Sequence, residues 1–130
     1  MSESEVVTEG IRVHVRSAYA PERSRPLENQ WFFIYTIRIS NEGTETVQLL
    51  RRHWIITDAN GRVEEVEGPG VVGEQPVLAP GQSFEYTSAC PLGTRFGTMH
   101  GSYTMVRRRD RSEFPVEVAP FALSEPHAIN

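Results

Sequence analysis

The chain has 130 residues, with 13 arginines, no lysine, 17 acidic side chains, one cysteine and a formal net charge of −4. This length makes a single domain, 1–130, able to bury a core without disulfide or metal staples. A hydrophobic content of 38% with 23% charged residues excludes a disordered or membrane-spanning chain, and the mildly acidic balance speaks against a nucleic-acid binder, which gathers a basic surplus on one face.

The segment Met1 to Gly10 carries three glutamates and lacks the basic start and apolar run of a secretory signal. No stretch approaches the roughly 20 apolar residues of a membrane span. The lone Cys90 cannot form an internal disulfide, which fits a reducing compartment. The expectation is a soluble cytoplasmic protein with a core over about 11–123 and flexible flanks at 1–9 and 124–130.

Alternation with a period of two dominates the chain. Ile11, Val13 and Val15 alternate with Arg12, His14 and Arg16, predicting a half-buried strand that ends at Ala20-Pro21. A second strand, Trp31 to Ser40, puts Trp31, Phe33, Tyr35, Ile37 and Ile39 on one face. Its other face begins apolar with Phe32 and Ile34 and then turns polar. Asn41-Glu42-Gly43 reads as a turn. Thr46 to Thr57 has apolar residues on both parities, Val47, Leu49 and Ile55 against Leu50, Trp54 and Ile56. That suits a central strand or one that changes sides.

Asp58-Ala59-Asn60-Gly61 is a hairpin signal, with Arg62 to Glu67 as the returning strand. The opposed parities of Val63 and Val66 predict a bulge there. Gly68 to Gly81 holds seven of the nineteen Gly and Pro residues and reads as one irregular loop. Further strands are predicted over Gln82 to Cys90, Met99 to Arg107 and Glu113 to Val118. Pro91 to Thr98 is a loop, and Arg107-Arg108-Arg109-Asp110-Arg111 reads as a solvated hairpin turn, with phosphate binding as the alternative. About seven one-sided strands and no capped amphipathic helix predict an all-β, immunoglobulin- or fibronectin-III-like antiparallel β-sandwich, with a small barrel as the alternative.

Gly68-Pro69-Gly70-Val71-Val72-Gly73 spells G-x-G-x-x-G. In dinucleotide-binding folds this pattern brings backbone amides to a pyrophosphate at a helix N-terminus. Here Pro76 and Pro80 prevent such a helix, and Glu64, Glu65 and Glu67 repel phosphate. The plain alternative is a tight sheet connection whose glycines serve geometry. His14, His53, His100 and His127 lack the spacing of a zinc site, so no metal and no cofactor is assigned. A sheet could bring His53 and His100 together, although a structural role is the default for each. No nucleophile elbow occurs, and no catalytic set is assembled. Cys90 reads as a buried, inert thiol. Trp31 and Trp54 read as core; exposed, either would be a partner anchor.

Arg52-His53-Trp54-Ile55-Ile56-Thr57-Asp58, Gly61-Arg62-Val63-Glu64-Glu65-Val66 and Gly68-Pro69-Gly70-Val71-Val72-Gly73-Glu74-Gln75-Pro76 together resemble the ApaG family, also called CorD. Phe84-Glu85-Tyr86-Thr87-Ser88 and Gly97-Thr98-Met99-His100-Gly101-Ser102-Tyr103 extend the resemblance, which covers about 11–123. It implies a fibronectin-III-like sandwich, in agreement with the strand count. It also implies an association with cobalt resistance and magnesium efflux. Similar domains in eukaryotic F-box proteins and a polymerase-associated protein look like partner-binding modules, although fold analogy alone does not transfer function.

The expected function is therefore a non-enzymatic binding module that engages a protein partner through a sheet face or the Gly68–Gly81 loop. The alternative is a pyrophosphate or nucleotide ligand held by amides near Gly68, Gly70 and Gly73, with charge compensated by Arg52 or by a metal held by Glu64 and Glu65. Candidate site residues are Gly68, Gly70, Gly73, Glu74, Arg52 and His53. A direct divalent-metal role is weaker, because hard cations want several converging oxygens, whereas Glu65 and Glu67 share a strand face from which Glu64 points away. A concave pocket bordered by Arg52, His53, Trp54 and the glycine loop would favour a ligand. A buried Trp54 and a flat loop would favour a scaffold.

Overall fold

A computed structural model of the chain describes residues 2–126. The alternating segments form nine strands: β1 (Ser2–Thr8), β2 (Ile11–Tyr19), β3 (Trp31–Asn41), β4 (Val47–Asp58), β5 (Val63–Pro69), β6 (Val77–Leu78), β7 (Ser83–Leu92), β8 (Phe96–Arg107) and β9 (Glu113–Ser124). Two short 3-10 turns, each opened by a proline at Pro21 and Pro26, join β2 to β3; proline there pre-sets φ and gives up no needed N–H. Among the described residues no helix is long and apolar enough to cross a membrane.

The strands build two antiparallel sheets, one ordered β1-β2-β3-β7 and the other β5-β4-β8-β9, with β6 beside the start of β4. This is the two-sheet sandwich that the alternation predicts. The long strands β2, β3, β4, β7, β8 and β9 turn their apolar parity inward, and at the centre Trp54 meets Tyr35, Tyr103 and Phe121 edge-on. Such T-shaped contacts set positive ring edges against negative faces.

The sheets are offset by one strand. Ser17 of β2 donates to the Ala122 carbonyl of β9 at 2.7 Å, Tyr35 of β3 packs on Trp54 and Phe121, which flank β8, and Tyr86 of β7 reaches Tyr103 of β8. On one side β1 therefore lies along the margin of β9. On the other side β5 extends past β7, and its inner face has no strand opposite.

Several local expectations are corrected. Residues 2–8, expected to be a flexible flank, are strand β1. Of its inward positions Ser2, Ser4, Val6 and Thr8, three are small hydroxyls, so no hydrophobic alternation announces it. Ser4 donates to the Ala119 carbonyl at 2.9 Å, and Thr8 and Ser2 accept the N–H groups of Glu117 and Ala122 at 3.1 and 3.0 Å. These side chains satisfy backbone groups of β9 that no neighbouring strand would otherwise meet. At the far end Ser124 closes β9 and the Glu125 N–H donates to the Arg95 carbonyl; 127–130, and His127 with them, lie outside the described residues.

The bulge falls elsewhere too. Strand β5 pairs with β4 in unbroken register and leaves Val63 exposed. The register shift lies in β4 between Leu49 and Arg51, and it lets Leu49 and Trp54, of opposite parity, both face the core. The displaced Leu50 carbonyl accepts the Gly70 N–H at 2.8 Å and the Gln75 side chain at 2.9 Å. Strand β7 also runs on through Pro91. Asn41 N–H bonds Gln82 and Ala20 N–H bonds the Phe32 carbonyl, so odd residues of β3 face β7 and its even residues face β2. The even residues of β7 then bond β3, and Pro91 sits in the outward series, where no ladder bond is lost.

One buried polar side chain organises the turn after β3. Asn41 donates to the carbonyls of Glu45 and Leu78 at 2.8 and 2.9 Å and accepts the Gly43 N–H at 2.9 Å. It is almost fully buried, and its amide ties three segments together.

Candidate functional site

The cleft sits where β5 overhangs β7, and Arg52 lies at its centre. The β4 bulge sets Arg52 on the inward parity with Trp54 and Ile56, opposite Gly68 of β5. Its guanidinium lies flat on Gly68, where a Cβ would come within 3.0 Å of both terminal nitrogens. Nη1 donates to the carbonyls of Pro69 and Gly70 at 2.9 and 3.1 Å. The side chain is half-buried, yet among the described residues it forms no ion pair. The other half-buried arginines, Arg12 and Arg107, are neutralised by Glu42 at 2.8 Å and Glu9 at 2.6 Å. Arg52 thus holds unspent N–H donors and an uncompensated charge inside a partly desolvated site.

The glycine loop forms one wall. Gly70 has φ +63°, and a Cβ there would collide with the Glu74 carbonyl; only glycine lets the chain cross itself at this point. Val71 and Glu74 exchange backbone hydrogen bonds at 2.8 and 2.9 Å. The tip residues Val72 and Gly73 take φ of 43° and 82°, the left-handed pair of a type I′ turn. Val71 is buried in the core, whereas Val72 is 54% exposed at the cleft mouth. The amides of Gly70, Val71 and Glu74 are spent within the protein, and the carbonyls of the loop turn toward Arg52. Glu74 contributes backbone to the turn while its side chain stays in solvent.

Two adjoining hollows share Arg52, Tyr35, Trp54 and Ser88. One, of about 210 Å³, is closed by the Val71–Gly73 tip and Tyr86. The other, of about 250 Å³, runs along Val66 to Glu64 on one side and Cys90 to Pro91 on the other. Trp54 is only 3% exposed, so the indole belongs to the core and also floors the cleft. A concave pocket and a buried Trp54 therefore coexist.

Burial governs the titrations of the walls. It holds the Tyr35, Tyr86 and Tyr103 hydroxyls above the ordinary tyrosine value, against a weaker opposing pull from the Arg52 charge. Burial, with Glu64 second, pushes the Cys90 thiol up to about 11. A thiol so raised is protonated and unreactive near neutrality. The site offers one cation, Arg52, one anion, Glu64, aromatic walls and neutral hydroxyls, which is equipment for holding a polar or amphipathic group.

His53 stands on the opposite face of the sheet. Its Nε2 lies 3.1 Å from Glu65 and 3.7 Å from Glu67. His100, across from Ile55, is its diagonal neighbour on that outer face, and His14 lies 3.4 Å from Glu3. Among the described residues no group of three or more His, Cys, Asp and Glu side chains is arranged to hold a metal ion. Of the residues singled out from sequence, Arg52, Gly68, Gly70 and Gly73 converge on the inner cleft; His53 instead borders a separate outer hollow of about 440 Å³ that Arg52 and Gly68 also line, and the Glu74 side chain stays in solvent. Tyr35, Tyr86, Ser88, Val66 and Glu64 complete the cleft. Their inward parity is readable in sequence, but the meeting of β5 with β7, strands of different sheets, is not.

Known proteins are similar to this chain in sequence and fold. A family model for the ApaG domain matches residues 21–107. Protein ApaG of Rhodospirillum centenum is 55% identical over 121 residues, 93% of this chain and 92% of that one. Protein ApaG of Anaeromyxobacter dehalogenans is 53% identical over 127 residues, 98% and 99% of the two chains. The crystal structure of an ApaA protein from Bordetella pertussis superposes with a TM-score of 0.85 at 49% identity, covering 95% of this chain and 96% of that one.

Proposed function

The chain belongs to the ApaG domain family, and from that premise and the geometry around Arg52 we propose a non-catalytic module that binds a protein partner in the cleft between β5 and β7. The observation that carries this reading is the half-buried Arg52, without an ion pair among the described residues, at the junction of two hollows. A buried cation is costly unless a partner compensates it, and here the compensation is open to come from outside. The exposed Val72 at the mouth adds apolar contact, and aromatic or arginine anchors in partly desolvated pockets dominate binding energy at protein interfaces. On this reading the family association with cobalt and magnesium runs through the bound partner. Glu65 and Glu67 lie with His53 on the far face of the sheet, away from the cleft.

The test is affinity capture from native cytosol with the wild-type chain, with Arg52→Gln and with an outer-face control, Arg38→Gln. Partners retained by Arg38→Gln and lost by Arg52→Gln support the cleft; partners indifferent to Arg52 refute it. Pyrophosphate is the second ligand to titrate, because the spare donors of Arg52 would also suit a phosphate. Chemical-shift changes at the Val72 and Gly73 amides at millimolar pyrophosphate would favour that alternative.

A further inference from the structure

The margin of the cleft has a second unfilled valence, in the backbone. Strand β7 ends its sheet, and the alternation fixed by its bonds to β3 turns the N–H and C=O groups of Ser83, Glu85, Thr87 and Ala89 outward. An exposed strand edge is a template for another strand, and proteins that leave one uncovered commonly use it. Glu85 is the lone charge on this edge, and Pro91 limits it at one end. Opposite the empty lane beside β7 lies the uncovered inner face of β5. A strand added to β7 would fill that lane and give β5 the facing neighbour it lacks.

The lane has a chemical order. Inner-face positions along the β4–β5 pair are Arg52 beside Gly68, Trp54 beside Val66, and Ile56 beside Glu64. They present a cation, an apolar patch and an anion at successive two-residue steps, the period with which an added strand presents its own side chains. The two hollows follow the same step. One is bordered on β7 by Tyr86 and Ser88 and the other by Ser88 through Pro91, a displacement of about two residues, or roughly 7 Å at the strand rise.

We propose that the free edge of β7 accepts an extended peptide as an added antiparallel strand opposite β5, its alternate side chains reading base-x-apolar-x-acid from the N-terminus against Glu64, Val66 and Arg52. The direction follows from the antiparallel pairing: Glu64 lies toward the Pro91 end of β7 and Arg52 toward Tyr86. The proposal rests on the cleft reading above and specifies its partner as an unfolded or terminal segment of a protein rather than a folded surface.

A capped heptapeptide, acetyl-Thr-Lys-Thr-Val-Thr-Glu-Thr-amide, is the probe, with a control in which its lysine and glutamate are exchanged. Amide exchange of the intact domain is read with and without each peptide. The probe is expected to slow exchange at Glu85, Thr87 and Ala89 about tenfold or more while Tyr86 and Ser88, already bonded to β3, stay unchanged. The exchanged peptide is expected to bind about tenfold more weakly, the order expected for one charge-assisted hydrogen bond, and Arg52→Gln to narrow that preference. Thr87→Pro, which removes an outward N–H, is expected to abolish binding; should that variant fail to fold, the exchange data on the unmodified domain decide. Shifts at Val72 and Trp54 without protection at Glu85, Thr87 and Ala89 overturn strand addition and leave the cleft reading intact. No shift at millimolar probe overturns the proposed motif, and the capture experiment with Arg52→Gln then judges the cleft separately.

Discussion

Tyr86 of β7 and Tyr103 of β8 meet hydroxyl to hydroxyl, 2.5 Å apart, across the two sheets. Both are buried, Tyr103 completely, so neither hydroxyl has ready access to water. Removing one leaves the other without its partner, at a cost of about 1–3 kcal/mol. Tyr103→Phe and Tyr86→Phe are each expected to lower the free energy of unfolding, read from urea titrations, by that amount. The double variant is expected to be less destabilised than the sum of the two, because it strands no polar group.

The same burial makes the fold sensitive to alkali. Cys90 and the tyrosines ionise near 9 and 10 when unfolded, whereas the native state holds the Cys90 proton to about 11 and keeps those of Tyr35, Tyr86 and Tyr103 above their ordinary value. Above pH 9 the unfolded chain binds fewer protons than the native one. This contribution is therefore complete below pH 9 and lost as pH rises through the folded values, by up to about 1.4 kcal/mol per pH unit for each group. Urea unfolding from pH 8 to 11 should show a steady fall beginning near 9. Native Cys90 should also react with a disulfide reagent at pH 7.5 far more slowly than the urea-unfolded chain.

Val72 occupies a conformation that suits glycine or asparagine. A β-branched residue at φ 43° stores about 1 kcal/mol or more of strain, and its exposed side chain recovers little by burial. Val72→Gly is expected to raise the melting temperature by a few degrees while weakening capture of any cleft partner. A variant that gains stability and binds unchanged would remove Val72 from the contact surface.

Asn41 is a stricter position. Asn41→Asp replaces two donated hydrogen bonds by a buried carboxylate facing the carbonyls of Glu45 and Leu78. The loss is expected to be about 3 kcal/mol, larger at pH 7 than at pH 4, where the protonated acid regains one donor. Thermal unfolding at the two pH values measures the difference.

Where side-chain burial drives a strand, its alternation was legible: β2, β3 and β8 follow their valines, isoleucines and aromatics. Strand β1 was not, because Ser2, Ser4 and Thr8 act by hydrogen bonding to β9 rather than by hydrophobicity. Proline at 91 reads as a stop until the outward direction of its nitrogen is known, and that depends on which strand lies beside β7. Arg52 and the glycines could be singled out from the sequence. Their role could not, since the cleft exists only because the two sheets are offset by one strand.

The hydroxyl contacts of β1 with β9 also bring the chain ends together: the Ala122 N–H reaches the Ser2 hydroxyl at 3.0 Å. Both ends of the described chain thus leave from one corner, on the margin remote from Arg52. A tether fused at either end would draw from that corner and hold the opposite margin outward. Copies immobilised on a bead, or joined in tandem by a flexible linker, would keep the β7 edge unobstructed, and a linked pair could engage two segments of one partner with the effective concentration set by the linker alone.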